Sequence, residues 1–267
     1  MPLIATPISH LFENEKDASK IAAVSDCLEV RQRSLNSELD KQWLFHIDID
    51  LTQHWDNKIK EYLTFAITKK KDLKLVTFQA TRCCVGEELV NGLFQLSGIV
   101  LTKDELLENA KNNVAWFRDT FGESLKLGFE NNNFYPSPAY DVITDADFIT
   151  ELVESNNINF LLDIAHAMVT AKNRGFKYID YLKELPMDRV IQLHICQPDI
   201  PDVGMARDTH ELPNKEMLDE VSRLVARHPN ISFLTVEFYK DANELVDFLK
   251  CLQTIKVALK NKIRYLV

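Results

Sequence analysis

The chain has 267 residues, 46% of them hydrophobic and 27% charged, a length at which one large core is expected and at which α/β barrels commonly form a single domain. A formal net charge of −9 argues against a protein whose task is to wrap a polyanion, so no nucleic-acid partner is expected. Five cysteines without a CxxC spacing suit a reduced, cytoplasmic protein, and neither a signal-peptide leader nor a membrane-length apolar run is found.

Short apolar runs alternate with longer amphipathic stretches along the chain and read as buried parallel strands at residues 3–8, 27–31, 43–49, 73–77, 125–129, 159–162, 190–195 and 233–238. The first is followed by His10, which could approach a site at the strand ends. The second ends in Glu29 and Arg31, an expected ion pair across the mouth that could hold a substrate carboxylate. The third carries His46, with Asp48 behind it. Before the fourth lies Lys69-Lys70-Lys71, read as a solvated helix end on the opposite face; after it come Gln79 and Cys83-Cys84.

A capping box, Thr102-Lys-Asp-Glu105, opens a helix with Leu106, Leu107, Ala110, Val114 and Phe117 on one face, and Gly122 stops it. The fifth run is closed by Glu130, then Asn131 and Asn132, and opens a Pro-containing loop over 131–141. Residues 147–154 repeat the helical stripe. The sixth run gives way to Asp163 and His166, and the seventh carries His194 with Cys196 two residues on. A second long loop over 196–213 holds Asp208 and His210. The eighth run carries Glu237, and a last helix starts near Asp241.

Eight strand–helix alternations define the expected fold, a (β/α)8 TIM barrel over residues 1–267, in which loops after strands form the catalytic face. His46, Glu130, Asp163, His166, His194, Asp208, His210 and Glu237 then converge at one end as candidate metal ligands, with Glu130, Asp163 and His194 the candidate catalytic residues. Unpaired charges gathered in so small a volume would cost several kcal/mol each, and bound cations remove that cost. Carboxylates and imidazoles suit iron, zinc or manganese. Eight candidates exceed the three or four that one catalytic zinc uses, so two or three ions are expected, with Glu130 or Glu237 able to bridge. Asn131, Asn132 and Asp48 could orient the ligands.

The order of ligands, with its D-x-x-H pair at Asp163 and His166, resembles the xylose-isomerase-like barrel superfamily, in which endonuclease IV holds three zinc ions. From about Leu125 onward the segments FENNNFY, LLDIAHAMVTAKNRGF, YLKELPMDRVIQLHI, DTHELP and TVEF resemble the multinuclear non-heme iron-dependent oxidative enzymes of methanobactin biosynthesis. That resemblance implies iron ligation by Glu130, Asp163, His166, His194, Asp208, His210 and Glu237, with His46 as the first-half imidazole. It implies dioxygen chemistry at a mixed-valence iron pair, on a peptide cysteine or a small thiol substrate, with a partner protein presenting the substrate. Two positions depart from the family: Gln79 stands where a histidine is usual, with Cys83 as a stand-in candidate, and His166 stands where many members have asparagine. The alternatives are an endonuclease IV-like tri-zinc phosphodiesterase, a divalent-metal sugar isomerase, and a binding or scaffold barrel whose site has decayed.

Overall fold

The computed structural model describes residues 1–264. In chain order its elements are β1 (Leu3–Pro7), α1 (Glu15–Val24), β2 (Cys27–Val30), β3 (Gln42–Asp50), α2 (Asn57–Thr68), β4 (Leu75–Gln79), β5 (Leu89–Val90), β6 (Leu93–Phe94), α3 (Lys103–Phe121) and β7 (Lys126–Glu130). There follow α4 (Ala146–Ser155), β8 (Asn159–Asp163), α5 (Ile164–Arg174), α6 (Tyr178–Glu184), β9 (Val190–Ile195), β10 (Gln197–Asp199), β11 (Arg207–Glu211), α7 (Lys215–Arg227), β12 (Phe233–Val236) and α8 (Ala242–Arg264).

Eight of these strands close a parallel barrel in the order β1-β12-β9-β8-β7-β4-β3-β2. All eight expected runs hold a barrel strand, with ends shifted by no more than two residues. The fold is the xylose-isomerase-like TIM barrel. The capping box at Thr102 is formed in both directions, and Gly122 at φ 77° ends α3 in a conformation that a side chain would oppose.

Three connections differ from a strict strand–helix alternation. Residues 31–41 between β2 and β3 make only a 3-10 turn at Gln32–Ser34, because so short a segment leaves no room for a crossover helix and its two loops. After β4 and after β9 the chain instead inserts two-stranded antiparallel ribbons, β5-β6 and β10-β11. The second lies within the 196–213 segment expected as an irregular loop.

Strand alternation sorts the side chains into two cores. Outward-facing Ile47, Phe78, Phe129 and Phe160 are buried beneath the helices with Trp55, Phe117 and Phe148, and Phe78 touches Trp55 at a 5.0 Å ring separation. Each such burial stabilises by about 1.5–3 kcal/mol. Inward-facing Ala5, Cys27, Leu44, Leu75 and Phe233 form a smaller apolar floor. Above the floor the interior turns polar, through Glu29, Thr77, Gln192 and Thr235, all buried. The C-terminal ends of the strands carry the candidate ligands.

Candidate metal centre

Register brings the ligand-bearing positions level. His46 lies beside Thr77, and His194 lies between Asp163 and Thr235 across their strand pairs. Of the eight residues expected to converge, seven are buried or nearly so, and His210 keeps a side chain 35% exposed.

The hydrogen bonds made on one side of each ring leave the other side facing the centre. His46 Nδ1 is 3.0 Å from Thr77 Oγ1, so Nε2 turns to Glu130 Oε2 at 3.4 Å. An inward Gly128 permits this arrangement, since a Cβ there would lie 3.0 Å from Thr77 Cγ2. His166 Nδ1 donates to the Asn131 carbonyl at 2.8 Å, which directs its Nε2 to Asp208 Oδ2 at 3.4 Å and Asp163 Oδ2 at 3.7 Å. His194 Nε2 donates to Glu29 Oε2 at 3.0 Å. Its Nδ1 is 2.7 Å from Glu130 Oε1 but makes no directed hydrogen bond.

The carboxylates are held as firmly. Asp163 caps α5 by accepting the His166 amide on Oδ1 at 2.7 Å, so Oδ2 is buried without a hydrogen-bond partner. Asn131 locks the same residue by accepting the Asp163 amide and donating to its carbonyl, at 2.9 and 3.0 Å. Asp208 Oδ2 meets His210 Nε2 at 3.3 Å, and Glu237 Oε2 meets the same nitrogen at 3.4 Å. His210 reaches them from a left-handed backbone, φ 48°, beside a register shift in the β10-β11 ribbon. A non-glycine residue held there stores strain of order 1–3 kcal/mol, and here it aims an imidazole back into the barrel.

Among the described residues, ligand-capable atoms come within 4.8 Å of one another in three groups: Glu130, Asp163 and His166; Glu29, His194 and Glu237; Cys196, Asp208 and His210. The expected set is thus gathered at one end, His46 joining through Glu130. Two members were not expected as ligands. Cys196 donates its thiol to Asp208 Oδ1 at 3.2 Å, although its place in an apolar run reads as packing. Glu29 pairs with Arg31 at 2.6 Å, as the sequence suggests, but also reaches His194, and Arg31 pairs with Glu237 as well.

Other candidates stand elsewhere. His10 is exposed beside the first strand's exit, and none of the three groups contains it. Cys83 is no stand-in for the missing histidine: its thiol points to the Pro138 carbonyl at 3.3 Å and burial pushes it up to about 11. Gln79 gives its backbone carbonyl to Leu51, and β4 contributes Thr77 instead. Asn132 ties to the Ala80 carbonyl, and Asp48, 61% exposed, stays 3.9 Å from His46, so Asn131 is the asparagine that orients the site. Lys69 to Lys71 follow α2 and precede β4, at the opposite end of the barrel.

Burial, with Asp208, Glu130 and Glu237 nearby, pushes the Asp163 carboxyl up to about 7 against the pull of His166. Burial works against charge on His166 and His194 too, but surrounding carboxylates hold both well above the ordinary imidazole value. Such a nest of anions recruits protons when nothing else supplies positive charge. The orphaned Asp163 Oδ2, the unsatisfied His194 Nδ1 and the oxygen–nitrogen donor set fit divalent metal ions.

A TIM barrel with a buried carboxylate–imidazole cluster at its C-terminal strand ends has the arrangement of a metal-binding centre. Residues 84–260 match the family described as RiPP precursor modification enzyme MbnB/TglH/ChrH, and the chain belongs to that family. Seven of the eight expected ligands lie in the matched stretch, and His46 lies before it. A UPF0276 protein of Caulobacter vibrioides is 33% identical over 101 residues, 38% of this chain and 35% of that protein. One of Shewanella loihica is 28% identical over 134 residues, 50% of this chain and 46% of that protein. The chain therefore spans less than half the length of these curated relatives. Among solved structures, the IOLI protein with a binding zinc atom superposes with a TM-score of 0.66 at 15% identity, covering 97% of this chain and 98% of that one. A D-tagatose 3-epimerase-like protein does so at 0.61 and 15%, covering 98% and 99%. These two share the fold. Among the described residues no helix is long and apolar enough to cross a membrane.

Proposed function

We propose that the chain, acting as one barrel domain over residues 1–267, is an iron-dependent oxidative enzyme that modifies a cysteine of a ribosomally made peptide, presented by a partner protein. Residues 265–267 lie outside the described residues. The observation that carries the reading is the continuity of the three ligand groups, linked through Glu130, His194, Glu237 and Asp208. More than one ion can sit in such a centre, which exceeds what a single-metal sugar isomerase needs. Lysines 69–71 at the far end of the barrel give no support to a phosphodiesterase reading. All five cysteines are free, in keeping with a reducing cytoplasmic setting.

Iron in this donor set would supply the coordination positions and electrons that let dioxygen and a thiolate meet. Glu130, Asp163, His166, Asp208, His210 and Glu237 would hold the ions, with His46 and His194 completing the set around Glu130. Thr77 and Asn131 fix the rings of His46 and His166, so their inward nitrogens stay deprotonated once metal is bound. His210 is the half-exposed member and marks the side from which substrate enters. Tyr239 lies against it, with the rings 5.2 Å apart and tilted by 51°, and narrows that entrance.

The test is anaerobic loading with ferrous iron, followed by oxygen uptake with cysteine-containing peptides and mass analysis of the product. Oxygen uptake tied to a mass change at cysteine is expected. A protein that retains only zinc and leaves both oxygen and peptide unchanged would overturn the reading.

A further inference from the structure

We propose that the Arg31 guanidinium stands where a third cation would otherwise sit, between Glu29 and Glu237, so that the centre takes two divalent ions. Glu29, His194 and Glu237 have the spacing of a metal site, yet Arg31 already lies against both carboxylates. Arg31 Nη2 lies 2.6 Å from Glu29 Oε1 and also bonds Glu237 Oε1. Glu29 Oε2 accepts from Gln192 at 2.5 Å and from His194 Nε2 at 3.0 Å. Glu237 Oε1 accepts from the Tyr239 hydroxyl at 3.1 Å. What remains open lies on the other side of each residue: His194 Nδ1 toward Glu130, and Glu237 Oε2 toward His210.

Two ion positions follow from the free atoms. One is bounded by His46, Glu130 and His194 Nδ1, with Asp163 joined to Glu130, the other by Asp208, His210 and Glu237 Oε2, and His166 lies between them, facing both Asp163 and Asp208. Charge leads to the same number. Five buried or nearly buried carboxylates line the centre, Glu29, Glu130, Asp163, Asp208 and Glu237; Arg31 offsets one, and two divalent ions offset the other four. A guanidinium cannot give up its proton, and here its Nη2 alone faces both carboxylates, so it is a permanent occupant. Arg31 thereby acts as a positioning residue, fixing Glu29 and Glu237 and setting the stoichiometry.

This inference rests on the metal-centre reading above. Its test is iron content per chain, after anaerobic loading and gel filtration, in the wild type, Arg31→Lys and Arg31→Gln, with folding checked by circular dichroism. Two irons are expected in the wild type and in Arg31→Lys, and three in Arg31→Gln. Three in the wild type, or two in a folded Arg31→Gln, overturns the inference. Should Arg31→Gln fail to fold, the wild-type count still decides, and a peak between Glu29 and Glu237 in the wild-type iron anomalous map overturns it. A chain that binds no metal overturns the functional reading as well, whereas one that binds three irons and oxidises peptide overturns only this inference.

Discussion

Glu130 Oε1 stands 2.7 Å from His194 Nδ1, and the other oxygen of the same carboxylate is 3.4 Å from His46 Nε2. One side chain at the end of β7 thus spans two imidazoles carried by β9 and β3, with Asp163 and His166 in the same ligand group. Glu130→Gln keeps the shape and removes the charge. At least one ion per chain should be lost, and the remainder held more weakly by at least the ~10–100-fold that loss of an outer-shell partner costs. Elemental analysis after dialysis checks this; unchanged iron content would rule out a ligand role for Glu130.

Asn131 matters through what it holds. Its side chain satisfies the amide and carbonyl of Asp163, both within a fully buried residue. Asn131→Ala strands both groups at about 1–3 kcal/mol each, so a fall in the thermal midpoint of several degrees is expected. The Asn131 carbonyl that fixes His166 remains. Metal affinity should therefore drop while some binding survives, as read by chelator competition.

Gly128→Ala tests the support of His46. The new methyl would meet Thr77 Cγ2 at 3.0 Å in a closed barrel interior, and Thr77 can yield only by turning the hydroxyl that faces His46. Overpacking of this kind costs about 1–3 kcal/mol. Iron affinity should fall together with stability, whereas a truncation in the outer core, such as Phe78→Leu, should lower stability alone.

The pH behaviour of the metal-free chain follows from signs. His166 and His194 are held above their ordinary value of 6.5, so they stabilise the fold fully below that value and the contribution is lost as pH rises through their folded values. Asp163, pushed up to about 7, acts in the same direction, since its ionised form is disfavoured in the fold. Glu29 is the opposite case: burial opposes its charge, but Arg31 and His194 bring it down to about 2, and its contribution is lost as pH falls from 4.5 toward that value. The metal-free protein should lose thermal stability as pH rises above about 6.5, where the two imidazoles begin to give up the protons that the fold favours, and metal should reverse the trend because it replaces those protons. Loading near neutral pH should release protons, seen as a buffer-dependent heat in titration calorimetry. A heat independent of buffer would contradict it.

The barrel was legible because its strands are short apolar runs of β-branched and aromatic residues, each bounded by polar segments, as in Val190 to Ile195. Most members of the cluster were legible jointly: one ionisable side chain at a strand end is ordinary, but several at the ends of strands that close into a barrel must meet. Cys196 was not, since a thiol two residues beyond His194 looks the same whether it packs or faces a carboxylate. Arg31 presents the harder case. Its pairing with Glu29 is local, but its pairing with Glu237 joins residues 206 apart, and only barrel closure between β1, β2 and β12 brings them together. The absent helix after β2 was concealed by the charged segment 31–41, whose composition suits a helix and whose length does not.

The most direct measurement is X-ray anomalous scattering from iron-loaded crystals, collected above and below the iron edge. Peaks within bonding distance of Glu130, Asp163, His166, His194, Asp208, His210 and Glu237, close enough together to share a carboxylate, are predicted. Density that shows no iron there, or iron only at sites remote from these residues, would contradict a shared centre.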